Sequence, residues 1–419
     1  MQAAPNPSTR SDAAAAFSLL SAEAVRSRAH RMLALGLDDH LPYFRVDSAR
    51  IDPVVDLVIA VTRAAYPSLD VPFHARWRHF VAQGVDRWAS LSDAAKWQDR
   101  NARARSACDL AIVSVLLDAG AGPGWRYRDP VTDESIGRSE GLALASLAMF
   151  AEGVFSARPD DPLRVDAAAL QQLSPGAIER SFQLSPSNAL VGIEGRLSLL
   201  RRLGGIVSAL PNVFGRSDTP RPGGIFDHLV ACSTAGRIAA PRILSEILIH
   251  LGPVWPSRLT LGGVPLGDCW RHPSLVTGDS TNGLVPLHKL SQWLTYSLIE
   301  PLQAAGIEVD DVDGLTGLAE YRNGGLFIDA GVLMPRGSGD IKRVHDVSSP
   351  FVVEWRALTV ALLDRVAEAM RRKLGRDATS FPLAKVLEGG TWAAGRKLAY
   401  ERRADGAPPI RIASDATVF

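Results

Sequence analysis

The sequence has only three cysteines, Cys108, Cys232 and Cys269, and no two of them form a CxxC pair. Cysteines this few and this scattered exclude a disulfide framework and a cysteine-rich zinc module. They read as small core residues in a reducing compartment. Long apolar runs are missing too. No uninterrupted stretch approaches the ~20 residues of a membrane span. The Ala-rich segment near the start carries Glu23, Arg26, Arg28 and Arg31, which breaks any secretory signal core. Excess charge of one sign is also absent: 46 Lys and Arg face 45 Asp and Glu, for a net charge of +1. A dedicated nucleic-acid binder would show a basic surplus or stripe. Neither nucleic acid nor a membrane is expected as a partner, and the cytoplasm is the expected location.

Catalytic signatures are equally scarce. There is no HExxH, no GxSxG, no GxxxxGK[ST] and no GxGxxG behind a strand. The nine histidines are mostly isolated, and His74 and His79 are five apart, too far round a helix for an i, i+4 metal pair. Neither a metal nor a cofactor is expected. What remains are carboxylates beside aromatics and arginines. That set suits hydrolysis of a glycosidic bond, in which carboxylates stabilise an oxocarbenium-like transition state and activate water.

What the chain does have is apolar mass, with 46% hydrophobic residues among 419. The pattern is mainly helical, with a few short strands or hairpins. Helices are expected over residues 21–35, 52–61, 92–117, 137–150 and 351–374, and after Gly192, Gly224, Pro241 and Gly390. The span from Arg356 to Asp364 carries no charge between its ends, so that part of its helix should be buried. The polar, Pro-rich segment 156–162 is read as a loop within one domain. The expected organisation is a disordered N-terminus, residues 1–14, followed by a single helical domain, residues 15–419.

The stretch from Pro286 to Gly331 stands out. Leu287, Leu290, Leu294 and Leu298 fall on one side of a helix, and Lys289, Gln292, Tyr296 and Glu300 on the other. Pro301 and Gly306 close it. A tight turn follows, Glu320-Tyr321-Arg322-Asn323-Gly324-Gly325, and then a second carboxylate, Asp329. A cation-bearing helix feeding a carboxylate turn suits an anionic, sugar-like substrate. The same pattern also describes a solvated helix face and an ordinary Asn-Gly turn. Local spacing leaves both open.

Three other places carry chemistry. Residues 71–80, VPFHARWRHF, are dense in aromatic and basic groups, and Trp77, Arg78 and His79 belong either to a surface helix or to a cleft wall. Asp118 sits at a helix C-terminus, where it opposes the macrodipole at a cost of about 0.5 kcal/mol. It either ties down the glycine turn behind it or faces a ligand. Glu354 and Arg356 stand at the mouth of a buried helix, where charged groups must pair or face a cleft.

These blocks bring a family into view. VPFHARWRHF, SVLLDAGAG, GRSEGLA, HKLSQWLTYSLIEPL, GLTGLAEYRNGGLFIDAGVL, VEWRALTVALLD, PLAKVLEGGTWAAGR and the terminal SDATVF resemble the uracil catabolism protein 4 family. The resemblance runs in order from about Leu41 to Phe419, and Ala416 replaces the glycine expected in the last motif. It implies a place in uracil breakdown through a nucleotide, with association with other enzymes of that route. The step it implies is cleavage of a ribosylurea, as its 5′-phosphate, to urea and ribose phosphate. The alternative is a non-catalytic, nucleotide-binding partner of the ring-opening enzyme.

A more distant resemblance sharpens this reading. The order HKLSQ, AEYRNGGL, VEWRAL is similar to the queuosine-nucleotide N-glycosylase family. That family has an all-helical fold related to helix-hairpin-helix DNA glycosylases and hydrolyses the N-glycosidic bond of a nucleoside monophosphate. The resemblance implies that Glu320 stabilises the ribosyl cation or activates water, with Asp329 and Asp118 as competing carboxylates. Lys289 would hold the 5′-phosphate with His288 and Gln292 nearby. Tyr321, Arg322, Glu354 and Arg356 would complete the site, shielded by aromatics such as Trp77 beside Arg78 and His79. Glu320 stands where that family has aspartate, and Asn-Gly-Gly replaces Val-Pro-Gln, so neither the site geometry nor the leaving base carries over from that family.

Overall fold

A computed structural model describes residues 7–413 apart from 119, 123, 256–258 and 338, with the backbone alone for residues 7–10. The molecule is mainly α, as expected, and its short strands pair only in twos. The longest helix, Pro350–Leu374, shows why its residues fold as they do. The Ser349 hydroxyl accepts the Val352 N–H, Pro350 fills a first-turn position that needs no N–H, and Gly375 ends the helix at φ 63°. Every side chain from Phe351 to Leu363 is buried, which includes the charge-free stretch between Arg356 and Asp364 as expected, and Glu354 and Arg356 besides.

That helix packs against Ala22–Leu37, Ile51–Ala65 and Tyr321–Asp329. A second long helix, Lys289–Ala304, packs against Arg100–Leu116 and Ala240–His250. One continuous set of buried apolar side chains extends from Leu20 to Ile410. Antiparallel pairing of Cys269–Arg271 with Leu284–Pro286 brings the residue before Cys269 to the start of the Lys289 helix. Among the described residues, no helix is long and apolar enough to cross a membrane.

Several expectations need correction. The helix expected over residues 92–117 is two helices, Arg87–Ala94 and Arg100–Leu116, because Asp99 turns back to accept the Ala102 N–H at 2.7 Å and starts a new one. Of the N-terminal segment expected to be disordered, residues 1–6 lie outside the described part, whereas Pro7–Leu19 is helical. The terminal SDATVF motif, with Ala416, also lies outside the described residues. Gly389 and Gly390 do not open a helix start. They lie in a π turn, Leu387–Thr391, and a Cβ on Gly390 would meet Val58 at 2.5 Å, so the pair makes room for the Ile51–Ala65 helix.

The polar face of the Lys289 helix is buried rather than solvated: Gln292 and Tyr296 are both fully covered. Pro301 does not close this helix but lies inside its last turn. A proline there deprives the carbonyl four residues earlier, that of Ser297, of its N–H donor. The Trp77 indole N–H supplies one instead, at 2.7 Å. A proline defect in one element thus becomes the docking point for another.

Candidate active site

Lys289 is the first residue of its helix, and Asp268 places it there. The Asp268 backbone carbonyl accepts the N–H groups of Leu287 and His288, and its carboxylate accepts the Lys289 N–H at 3.0 Å. The carboxylate also takes the Trp270 indole N–H at 2.6 Å and both terminal nitrogens of Arg356, at 2.7 and 2.8 Å. Burial alone would raise the pKa of Asp268. The Arg356 charge and these donors outweigh burial and hold it at about 2.

Glu320 is the N-cap of the helix Tyr321–Asp329; its two oxygens accept the N–H groups of Arg322 at 2.7 Å and Asn323 at 2.5 Å. The expected Asn-Gly turn is therefore the first turn of a capped helix. Glycine is needed at position 324, because a Cβ there would lie 2.7 Å from the Trp355 ring, whose N–H bonds the Gly324 carbonyl. The loop before the cap is held from two sides. Gln292 exchanges hydrogen bonds with Thr316, and the Tyr296 hydroxyl donates to the Thr316 carbonyl at 3.1 Å. Arg356 Nε donates to the carbonyl of Ala319, the residue just before Glu320, at 3.2 Å.

The indole of Trp293, one turn along from Lys289, is the hub of the cluster. Arg76 and Lys289 each place their charge 5.5 Å from the indole centroid, within cation–π range. His74 stacks on it at 6.4 Å and His79 meets it edge-on at 5.7 Å. Arg76 donates to Asp118 at 2.7 Å, to Ser114 at 2.7 Å and to the Ser139 carbonyl at 3.2 Å. Ser139 in turn donates to the second Asp118 oxygen at 3.3 Å. His74 bonds Glu388 at 2.7 Å. Asp118 thus both anchors its loop and joins the cluster.

Electrostatics ties these groups together. Burial lowers the pKa of the Lys289 ammonium, against the charges of Glu320 and Asp118. Burial raises that of Glu320, against its capping N–H groups and Lys289. It raises Asp118 against Arg76, and it pushes His79 well below the ordinary histidine value with help from Arg76. Tyr321 is raised as well, by burial and then by Glu320.

The cluster is rich in donors and acceptors left without partners. Lys289 has no hydrogen bond or ion pair from its ammonium among the described residues. Arg76 Nη2, His79 Nδ1, Trp293 Nε1 and Asn323 Oδ1 are buried and unpartnered. Each such group costs about 1–3 kcal/mol if it stays unsatisfied. Lys289, Arg76 and Trp293 offer donors, Asn323 Oδ1 an acceptor, and His79 Nδ1 either, depending on its tautomer. The arrangement suits a polar ligand that carries negative charge and has a face to lie against an indole.

Other candidates turn elsewhere. His288 Nε2 donates to the Leu19 carbonyl, 3.0 Å away, and the residue is held in a left-handed conformation at φ 47°. Gln292 is consumed by Thr316. Trp77 is bound to Ser297, and Arg78 pairs with Glu300 at 2.6 Å. Arg322 reaches back to the Gly406 carbonyl at 2.8 Å. Glu354 is fully buried and accepts the N–H groups of Tyr43 and Phe44 at 3.1 and 2.7 Å, with His272 3.1 Å from its other oxygen. Asp329 is gripped by Arg403 at 2.8 and 2.5 Å, at the far end of the helix that Glu320 caps. These residues brace the site instead of facing it.

The sequence pattern missed Asp268, His74, Arg76, Trp293, Asn323 and Glu388. His74 and Arg76 lie in the aromatic-basic segment, but that segment is a 3-10 turn, Arg76–Phe80, and not the helix one reading assumed. His74, Arg76 and His79 are the ones that meet the Trp293 indole, while Trp77 and Phe80 are buried in the core. Lys289 and Trp293, four apart on one helix, were a legible pair.

The whole chain can be compared with known proteins. The family described as "Protein of unknown function (DUF1688)" matches residues 18–419. Protein urg3 of Schizosaccharomyces pombe (strain 972 / ATCC 24843) is 38% identical over 411 residues, which is 96% of this chain and 98% of the relative. Uracil catabolism protein 4 of Lachancea kluyveri is 35% identical over 413 residues, 90% of this chain and 92% of the relative. With matches that run nearly end to end, the chain belongs to the DUF1688 family, the family of uracil catabolism protein 4.

Proposed function

We propose that the protein is an N-glycoside hydrolase of uracil catabolism that cleaves a uracil-derived nucleotide, ribosylurea 5′-phosphate, to urea and ribose 5-phosphate. The relative named for uracil catabolism supports the pathway. The observation that supports the reaction is that the Lys289 ammonium, without an ion pair among the described residues, feels the charge of a buried carboxylate of raised pKa, Glu320. Lys289 would take the phosphate. The Glu320 carboxylate would meet the positive charge that develops at C1′ as the bond to nitrogen breaks. Water adds its oxygen to C1′, and its proton ends on the departing urea nitrogen. A carboxylate raised above its ordinary pKa is a better base for that water near neutral pH. Asp118, held by Arg76, is a second carboxylate within electrostatic reach of Lys289.

One observation favours a second reading. Both oxygens of Glu320 already serve as a helix cap. A protein that binds the nucleotide without cleaving it could use the same cations and indole. The test supplies ribosylurea 5′-phosphate and measures urea release, then repeats with Glu320→Gln. Urea released by the wild type and lost in the variant supports hydrolysis. Calorimetric binding without any urea release would establish the binder instead.

A further inference from the structure

Apart from the cluster around Trp293, two short helices bring together four groups with metal-ligand chemistry. His228 and Cys232 lie four apart on Ile225–Cys232, and Glu246 and His250 lie four apart on Ala240–His250. An i, i+4 spacing points both members of each pair the same way. The two faces meet. His228 Nε2 lies 2.6 Å from Glu246 Oε2 and 3.7 Å from Cys232 Sγ, and His250 Nε2 lies 3.2 Å from the same Glu246 oxygen. The ligand atoms of His228, Cys232 and Glu246 all fall within 4.8 Å of one another.

We propose that His228, Cys232, Glu246 and His250 form a binding site for a zinc-class divalent cation. Zinc takes imidazole at about 2.0 Å and thiolate at about 2.3 Å in a tetrahedron, which puts neighbouring ligand atoms roughly 3.3–3.7 Å apart. One of the three separations, that of His228 from Cys232, already fits, and His250 lies slightly closer than this to Glu246, at 3.2 Å. The third, between His228 and Glu246, is a hydrogen-bond distance that opens when the cation replaces the proton between them. The donor set of two imidazoles, a thiolate and a carboxylate matches a borderline-soft ion rather than calcium or magnesium. Arg242 holds the other Glu246 oxygen at 2.6 Å and so aims the free one inward. On binding, Cys232 gives up its thiol proton to solvent.

His228, Cys232 and Glu246 are already clustered, and His250, beside Glu246, turns in as the fourth ligand; four protein ligands then leave no open coordination position, so the ion is structural. It clips the two helices across the seven residues between them. Ile225–Cys232 packs on Arg100–Leu116, and Ala240–His250 packs on the helix of Lys289. The clip therefore steadies the scaffold behind Asp118 and Lys289.

The experiment uses untagged full-length protein stripped with a chelator and titrated anaerobically with Co2+. The expected result is one equivalent bound with a thiolate-to-cobalt charge-transfer band, displaced by Zn2+, and a rise in thermal midpoint. Cys232→Ser should abolish the band, whereas Cys108→Ser, whose thiol is buried in the core, should keep it. His228→Ala should weaken binding at least tenfold. A wild type that binds no Co2+ overturns the proposal, and that measurement needs no variant to fold. A charge-transfer band that survives in Cys232→Ser overturns it as well.

Discussion

Arg356 joins Asp268 through two hydrogen bonds, at 2.7 and 2.8 Å, while its Nε holds the carbonyl of Ala319. Asp268 caps the N–H of Lys289, and Ala319 precedes Glu320. One guanidinium on the long central helix thus fixes both the cation and the carboxylate of the candidate site. Neither Asp268 nor Arg356 needs to touch a ligand to set the geometry.

Asp268→Asn should therefore harm both stability and binding. It removes the carboxylate charge that faces the buried Arg356 guanidinium, a loss on the order of 3 kcal/mol. The pH dependence has a definite sign. A carboxyl held at about 2 in the folded state contributes stability above its unfolded pKa, near 3.8. That contribution, roughly 2 kcal/mol, is lost as pH falls from the unfolded value through about 2. Urea unfolding of wild type and variant should show the gap between them narrowing from pH 5 to pH 2. A gap independent of pH would show that the pair carries no linked proton.

For Glu320 the informative comparison is between two variants. Glu320→Gln keeps an oxygen to cap the helix, so it should cost about 1 kcal/mol of stability while lowering urea release by a hundredfold or more. Glu320→Asp keeps the charge but shortens the reach by one methylene, and should fall between wild type and Gln. Because burial raises the pKa of Glu320, the acid limb of kcat/KM should lie above the ordinary glutamate range. An acid limb at or below the ordinary value would assign the working carboxylate elsewhere.

Lys289→Met should separate function from stability. Lys289 is half-buried, and its ammonium has no hydrogen bond or ion pair among the described residues, only the Trp293 indole face, so removing it relieves a desolvation cost. The thermal midpoint should hold or rise by a few degrees, while affinity for ribose 5-phosphate falls at least tenfold. Thermal unfolding and calorimetry on the same samples decide this. A large drop in midpoint with unchanged affinity would make Lys289 a structural residue.

Asp329→Asn should do the reverse. Its pairing with Arg403 ties the far end of the Glu320-capped helix to the C-terminal segment. Losing that pair should lower stability by about 1–3 kcal/mol and leave kcat nearly unchanged in the folded fraction. If kcat instead drops a hundredfold with the fold intact, Asp329 belongs to the chemistry.

Much was legible before the fold was known. The buried stretch of the long helix follows from its missing charges between Arg356 and Asp364, and Lys289 and Glu320 follow from the ordered blocks that contain them. The gaps in legibility have physical reasons. Gln292 and Glu354 look like ligand residues in sequence, yet each is fully buried and engaged elsewhere, Gln292 with Thr316 and Glu354 with the N–H groups of Tyr43 and Phe44. His74 and Arg76 were hidden because a 3-10 turn, unlike an α-helix, presents a different set of side chains inward. The pairs His228 with Cys232 and Glu246 with His250 can be read as helical i, i+4 neighbours. That they meet cannot.

By itself the sequence determined the helical class, the absence of any surplus charge, the family, and the residue types available to a site. Composition and short-range periodicity decide those matters locally, within a few residues. Only the tertiary structure decided which charges are spent and which are left over. Arg356, Arg78, Arg322 and Asp329 are consumed by distant partners, while Lys289 keeps its charge free beside Glu320. The reason is that the value of a charged group depends on its burial and its partner, and both are set by residues far away in the chain.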